Sequence, residues 1–412
     1  MKKSFIIIIF ISLFARFNNE ACRAQWIKQF SPAHFISDIE FINRDTGWAC
    51  GNNFIYKTTD GGENWINQPN PSTNLIMQIH PVNDSVVYAA GWWNFLKTTN
   101  GGENWISIFS GGPGMGLPTL DGIFFINENT GWMCGQVTIM KTTDGGNTFI
   151  DSGRIEGLPM DIYFKNENEG IMSARFSFIF RTINGGKKWI QDRIIKKGPQ
   201  YNFNKVSFVN DSVGYIGGEI VFKTTNFGLS WDSVGGVPYG FDEAYCIEFA
   251  DEQTGYSGGT TGTLFKTSDG GQTWLQQQVS QFGQGFFRSI YTYNDSIVWA
   301  VGNGKILFTD NGGLTKVEQI SSDMPDDFRL YQNFPNPFNP KTKIMFDIKK
   351  TGNVTLEIYD ALGRKIYTLI NERKYQGSYE VNLEFPSLNS GVYFYKLYTE
   401  NFSKTMKMLL LK

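Results

Sequence analysis

Short runs of β-branched and aromatic residues, parted by Gly, Asn and Asp, recur at even intervals along residues 25–320. Seven positions anchor the pattern: Ile39, Ile79, Ile123, Ile162, Val206, Ile247 and Ile290. Each is β-branched, which suits a pleated surface buried on both faces, so each marks a short inner strand. A tight turn follows, Asn43 to Thr46 in the first copy, and then a Gly/aromatic pair such as Gly47-Trp48, Gly131-Trp132, Gly214-Tyr215 or Gly255-Tyr256 opens a second strand. A third strand ends in Lys-Thr-Thr, a Gly-Gly turn reverses the chain, and a Trp opens an outer strand.

The third-strand ending is one phrase written seven times. It reads KTTDGGENW from Lys57, KTTNGGENW from Lys97, KTTDGGNTF from Lys141, RTINGGKKW from Arg181, KTTNFGLSW from Lys223, KTSDGGQTW from Lys266, and FTDNGGLTK from Phe308. The starts lie 40, 44, 40, 42, 43 and 42 residues apart, the period of a four-stranded propeller blade, so the sequence predicts an all-β, seven-bladed β-propeller. The Gly pair supplies the left-handed backbone of the hairpin, and the Asp or Asn before it holds its own backbone two residues on. The seventh copy lacks its final aromatic, with Lys316 in that place. Gln25-Trp26-Ile-Lys-Gln29 resembles the outer strand opened by Trp65, and it lies 13 residues before Ile39 as Trp65 lies 14 before Ile79. An N-terminal strand is therefore expected to fill the outer slot of the last blade and remove an open sheet edge.

Thr58, Asp60, Gly62 and Trp65 resemble the Asp-box of sialidase-type propellers, with Asp144 and Asp269 as further box carboxylates and Asn100, Asn184 and Asn226 in place of the acid elsewhere. Residues that recur in every blade serve folding, so the box is read as structural. Phrases such as Thr46-Gly-Trp-Ala-Cys-Gly51 and Lys57-Thr-Thr-Asp-Gly-Gly62 make this region resemble the photosystem II stability/assembly factor family. That resemblance implies a binding or assembly role, while glycosidases share the box and the shape.

The ends of the chain differ from its middle. Lys2 and Lys3 precede the apolar run Phe5 to Phe14, with Ala21 and Ala24 as small residues behind it, so residues 1–24 read as a secretory signal peptide. Residues 25–320 form the propeller, 321–330 a polar linker, and 331–412 a small β-sandwich of six strands behind the run Asn333-Phe-Pro-Asn-Pro-Phe-Asn-Pro340. LYQNFPNPFNPKTKI, VTLEIYDALGRKI, SGVYFYKL and KMLLLK closely resemble the type A C-terminal sorting domain of the type IX secretion system. Asn333, Pro335, Asn336, Pro337, Gly391 and Lys407 belong to the matching motifs. The resemblance implies the type IX secretion machinery as a partner and export across the outer membrane, to the cell surface or the extracellular space.

Charge and rare residues narrow the chemistry. Residues 326–412 carry 13 Lys/Arg against 9 Asp/Glu and residues 1–24 carry 4 against 1; taking these from the chain's 37 and 39 leaves 20 against 29 for residues 25–325. An acidic propeller is a poor nucleic-acid binder. Three cysteines remain behind the signal peptide and are expected as free, buried thiols, and two histidines, His34 and His80, exclude a histidine-based metal cluster. No metal, no cofactor and no transmembrane span in the mature chain is expected. Gly111 to Gly116 reads as a Gly/Pro loop, because it neither follows a parallel strand nor opens a helix.

Function is expected on the inter-blade face. Trp92 and Trp93 sit in the turn after a second strand, and Tyr201, Phe203, Tyr239, Phe241, Phe282 and Phe286 crowd the inter-blade segments, a composition suited to glycan or protein ligands. Asp121, Asp161, Asp242 and Glu243 start inner strands and either solvate the axial opening or supply an acid/base pair, with Arg175 and Arg288 nearby. The gaps from outer aromatic to next inner strand, 13 to 18 residues, leave no loop long enough to wall a deep cleft. The reading is a non-catalytic binding propeller, with a carbohydrate-active hydrolase as the alternative.

Overall fold

The computed structural model describes residues 26–411 except 33, 111–118, 137, 156, 195–200, 219, 238–243, 278, 284, 311, 314–316, 322–323, 340 and 385–389. The signal peptide, the Gly111 to Gly116 loop, Lys316, Tyr239, Phe241, Asp242 and Glu243 lie outside the described residues. Seven four-stranded antiparallel sheets follow one another from Ile27 to Thr309. Their innermost strands are Ile36–Phe41, Ile76–Pro81, Gly122–Phe125, Pro159–Phe164, Lys205–Phe208, Ala244–Phe249 and Phe287–Thr292, each packed against the next, with the last returning to the first. All seven anchor residues lie in these strands.

Ring closure follows the sequence argument. Ile27–Phe30 pairs with Lys305–Thr309 as the outer strand of the last blade. Trp26 is fully buried there and edge-on to Tyr256. It also takes the place of the missing box aromatic: a Cβ on Gly313 would sit 2.4 Å from Trp26 Nε1, where a Cβ on Gly62 would sit 3.2 Å from Trp65 Nε1.

The Asp-box is a hydrogen-bonded turn. Thr58 Oγ1 accepts from Gly62 N at 2.8 Å and donates to Asp60 Oδ1 at 2.8 Å, and Asp60 Oδ1 accepts from Asn64 N at 2.9 Å. Gly61 and Gly62 have φ of 70° and 90°, where a Cβ is penalised. Asn100 reproduces the set through its amide oxygen, accepting from Thr98 Oγ1 at 2.9 Å and Asn104 N at 3.0 Å, which is why Asn can stand for Asp. The box Lys joins blades: Lys57 Nζ donates to Gly101 O at 2.8 Å and Lys97 Nζ to Gly145 O at 3.0 Å, each ammonium also over a second-strand ring. Those rings stack on the next blade's inner-strand Phe, Tyr88 on Phe125 at 3.7 Å, Trp132 on Phe164 at 3.6 Å and Tyr215 on Phe249 at 3.5 Å. The first turn is held by an Asn or Asp whose side-chain oxygen accepts from the N–H groups two and three residues on, at Asn43, Asn83, Asn127, Asn166, Asn210, Asp251 and Asn294.

The C-terminal region forms two further four-stranded sheets around one core that includes Ile344, Phe346, Leu356, Ile358, Val381, Tyr395 and Leu410. Its boundary differs from the expected linker at 321–330. Val317–Ser321 pairs with Gly377–Glu384, and Arg329–Leu330 pairs with Lys341–Ile348, so both belong to one sandwich sheet. The physical reason is that Ile27–Phe30 already occupies the outer slot of blade seven. The Pro-rich run is tied to the sandwich: Asn333 Nδ2 donates to Pro335 O and Thr342 Oγ1, Asn336 Oδ1 accepts from Leu409 N, and Phe338 exchanges backbone bonds with Leu409 and Leu411. Gly391 and Lys407 lie on the paired strands Gly391–Thr399 and Phe402–Leu410.

Candidate functional site

An innermost propeller strand is a sheet edge whose outward N–H groups lack a ladder partner. Here neighbouring side chains supply acceptors. Asp38 Oδ2 accepts from Ile79 N at 3.0 Å, Gln78 Oε1 from Ile123 N at 2.8 Å, and Asp161 Oδ2 from Val206 N at 3.0 Å. Each acceptor sits one residue before an anchor and bonds the next blade's anchor. The same register position in the remaining blades holds Gly122, Lys205, Cys246 and Ser289. One residue after the anchors come Glu40, His80, Phe124, Tyr163, Ser207, Glu248 and Tyr291.

Members of both rings line an axial cavity of about 180 Å³ bounded by Asp38, Glu40, Gln78, His80, Asp161, Lys205 and Glu248, among others. Lys205 is its cation, with Nζ 3.7 Å from Asp161 Oδ2. Burial pulls the Lys205 ammonium down, but Asp161, Asp38, Glu40 and Glu248 outweigh it and hold its pKa well above the ordinary lysine range. Glu40, Lys205 and Glu248 keep some accessible surface because they face the cavity, yet protein encloses them otherwise. Burial raises Asp38 and raises Glu40 well above the carboxylate range, and it pushes Glu248 up to about 8 against the pull of Lys205. His80 is pushed down to about 4 by burial, with Nε2 3.1 Å from Phe125 O, so it is a neutral strand residue at pH 7.

The mouth of this cavity lies two residues before the anchors. A smaller hollow of about 40 Å³ is lined there by Ser37, Met77, Asp121, Met160, Asn204, Tyr245 and Arg288 with residues of the ring below. Register shifts fall at Ser37, Met77, Met160, Tyr245 and Arg288, and these β-bulges turn an extra side chain toward the axis in five blades. Arg288 crosses the mouth: its guanidinium carbon is 4.2 Å from the Tyr245 ring centre in blade six, and Nη2 reaches to 4.0 Å from Met77 Sδ in blade two. Burial raises Asp121, opposed by Arg288 and Arg175. Arg175 Nε is buried without a hydrogen-bond partner.

The candidates thus separate by depth. Asp121 and Arg288 line the mouth, and Arg175 is near enough to oppose the rise in Asp121. Asp161 does not solvate the opening as expected; it is 5% exposed and committed to Val206, Gln78 and Lys205. Trp92, on the same face through its bridge to Thr119, is 44% exposed, and its ring centre is 5.9 Å from that of half-buried Trp93, whose φ is 54°. Tyr201 is half-buried against blade-four and blade-five residues, and Phe203 is fully buried, so these fill gaps between blades. Phe282 and Phe286 are likewise half-buried. Cys50, Cys134 and Cys246 are free and buried. Among the described residues no group of three or more His, Cys, Asp or Glu is placed to hold a metal, and no helix is long and apolar enough to cross a membrane. Asp38, Gln78, Lys205, Glu40 and Glu248 are ring residues that sequence reasoning missed, and Tyr245 at the mouth was missed as well. The signal of the ring residues was position, one residue either side of an anchor.

Comparisons with known proteins agree with this architecture. The family described as photosynthesis system II assembly factor YCF48 matches residues 152–238 and 241–333, and the secretion system C-terminal sorting domain matches residues 332–411. No curated protein matches. Among solved structures, "YCF48 bound to D1 peptide" is 19% identical with a TM-score of 0.57, covering 69% of this chain and 96% of that one. YCF48 from Cyanidioschyzon merolae is 18% identical with a TM-score of 0.55, covering 69% and 98%. The WD40 propeller domain of Doa1 is 11% identical with a TM-score of 0.55, covering 69% and 97%; likeness at these identities shows the fold. The sorting domain marks the chain for export across the outer membrane, to the cell surface or the extracellular space. The chain is a β-propeller similar to the photosynthesis system II assembly factor YCF48, followed by a secretion-system C-terminal sorting domain.

Proposed function

We propose that the exported propeller is a non-catalytic binding module that takes an extended protein segment across the mouth of its axis. The observation that carries this is the mouth itself: the Arg288 guanidinium lies over the Tyr245 ring beside the Asp121 carboxylate, and Arg175, with an unpartnered buried Nε, acts on the same carboxylate. Guanidinium groups bind carboxylates and peptide carbonyls in fixed geometry, and an exposed Trp on the same face offers apolar area. One solved structure of similar fold is described as bound to a peptide, which favours protein over glycan. Delivery through the sorting domain, with Asn333, Pro335, Asn336, Pro337, Gly391 and Lys407 in its matching motifs, places that mouth outside the cell.

Hydrolysis is supported less. The deeper carboxylates are engaged or masked: Asp38 with a backbone N–H, Asp161 with three partners, while burial raises Glu40 and pushes Glu248 up to about 8. A displayed-peptide library and a glycan array, each probed with wild type and with Arg288→Ala, separate the readings. Peptides enriched by wild type and at least ten-fold weaker on the variant support the binding reading. Turnover of any arrayed glycan that disappears in Asp121→Asn contradicts it.

A further inference from the structure

The turns between second and third strands lie on the mouth face, and in three neighbouring blades their backbone is strained. Trp93 in blade two, Gln136 in blade three, and Phe176 with Ser177 in blade four have φ of 54°, 51°, 62° and 63°, the left-handed region that a side chain disfavours. Blades six and seven place Gly262 and Gly304 in the matching turns, with φ of 84° and 67°. Phe227 is the one other described non-glycine residue with such a φ. Packing accounts for Ser177: it is buried, its N–H donates to Tyr201 O at 2.8 Å, and its Oγ accepts from Tyr201 N at 2.9 Å. Phe176 beside it is 44% exposed, as Trp92 is. What these turns add over the glycine turns is aromatic surface on the mouth face.

The three turns join through blade three. Trp92 pairs with Thr119, Gln136 Nε2 donates to Thr119 Oγ1 at 3.3 Å, and a hydrogen bond from the Gln136 backbone holds Asp121, which Arg175 also attracts from the residue before Phe176. Hydrogen-bonding capacity here is one-sided. Asp121 is already engaged, whereas Arg175 Nε is buried without a partner and Arg288, among the described residues, reaches only sulfur, 4.0 Å away at Met77. Spare donors beside exposed rings suit a chain that offers carbonyl oxygens and apolar rings but few N–H groups. Proline has that make-up: it lacks the backbone N–H, and a run of it is an extended helix without internal hydrogen bonds, whose carbonyls stay open to donors and whose rings pack on aromatic side chains. We infer that the segment taken at the mouth is proline-rich and extended, running out over blades two to four with its rings on Trp92 and Phe176 and its carbonyls on Arg175 and Arg288. This rests on the binding reading above and names the class of segment.

The test is an anisotropy titration of fluorescein-labelled decaproline with the full chain. Saturable binding is expected, and decasarcosine, which also lacks the backbone N–H but carries no ring, should bind at least ten-fold more weakly. Trp92→Leu should weaken decaproline at least five-fold. Phe176→Gly should do the same while its Tm holds or rises, because glycine relieves a left-handed backbone; a packing role for the ring would lower Tm instead. No saturation with decaproline, decasarcosine within ten-fold of it, a loss under five-fold in either variant, or a lower Tm for Phe176→Gly would overturn the inference. If decaproline fails while wild type enriches other peptides that Arg288→Ala weakens, the binding reading stands without it; if decaproline fails and no peptide is enriched, both fall.

Discussion

The two ends of the propeller obey opposite rules. At the box end the blades are alike: Thr58, Thr98, Thr142, Thr182, Thr224, Thr267 and Thr309 each accept from a turn N–H, and an Asn or Asp holds each first turn. At the mouth the blades diverge, with six residue types among Ser37, Met77, Asp121, Met160, Asn204, Tyr245 and Arg288 at one register position. Repetition at one end means that each blade solves the same local problem of closing a hairpin. Divergence at the other gives a surface that reads one partner orientation.

The sharpest way to break this comparison lies between the ends. Lys205→Met leaves Asp38 and Asp161 uncompensated, and removing one member of a buried ionic set costs about 3–5 kcal/mol. Thermal unfolding should show the largest loss of any single variant in the propeller, and adding Asp161→Asn should recover part of it. A loss under 1 kcal/mol would mean that water, not protein, solvates this group.

Next in size are the boxes. Thr58→Val removes an acceptor for the buried Gly62 N–H and should cost about 1–3 kcal/mol, with Thr98→Val and Thr142→Val matching it. Asp60→Asn, by contrast, should stay within about 0.5 kcal/mol, because Asn100, Asn184 and Asn226 already do that work. Unequal costs among the three Thr variants would contradict the equivalence of the blades.

The axial carboxylates predict a pH dependence. Glu248 loses its proton near 8 in the fold and near its ordinary value of 4.5 in the unfolded chain. Between those values the unfolded state releases a proton that the fold retains, so rising pH favours unfolding, by at most about 1.4 kcal/mol per unit. Stability contributed by the protonated form is complete below pH 4.5 and lost by pH 8 to 9. Glu248→Gln should flatten the fall in Tm across that window, and an unchanged slope would remove Glu248 as its source. Smallest on stability is Trp92→Ala, expected within about 1 kcal/mol because the ring is exposed, while peptide binding weakens.

Much of this was legible in the chain. Strand order, the box and the closure by Trp26 follow from local repeats and turn chemistry, which depend on residues near in sequence. The axial rings were half legible: their positions flank Ile39 and its six counterparts, but that Lys205 meets Asp161 and Asp38 depends on folding three blades together. The mouth was partly legible through Asp121 and Arg288, but bulges hid Tyr245 and Met77, which strict alternation turns away from the axis. Val317–Ser321 was not legible as a sandwich strand, since it lies where each earlier blade has its outer strand and joins the sandwich only because the N-terminal strand holds that slot.

The central claim is that recognition belongs to the divergent mouth and not to the repeated box end. It is tested most directly by calorimetric titration of one library-selected peptide against two full-chain variants, Arg288→Ala at the mouth and Glu63→Ala at an exposed box turn. The account predicts at least a ten-fold loss of affinity, about 1.4 kcal/mol, for Arg288→Ala and no change for Glu63→Ala. Loss at Glu63 with full affinity at Arg288 would contradict it.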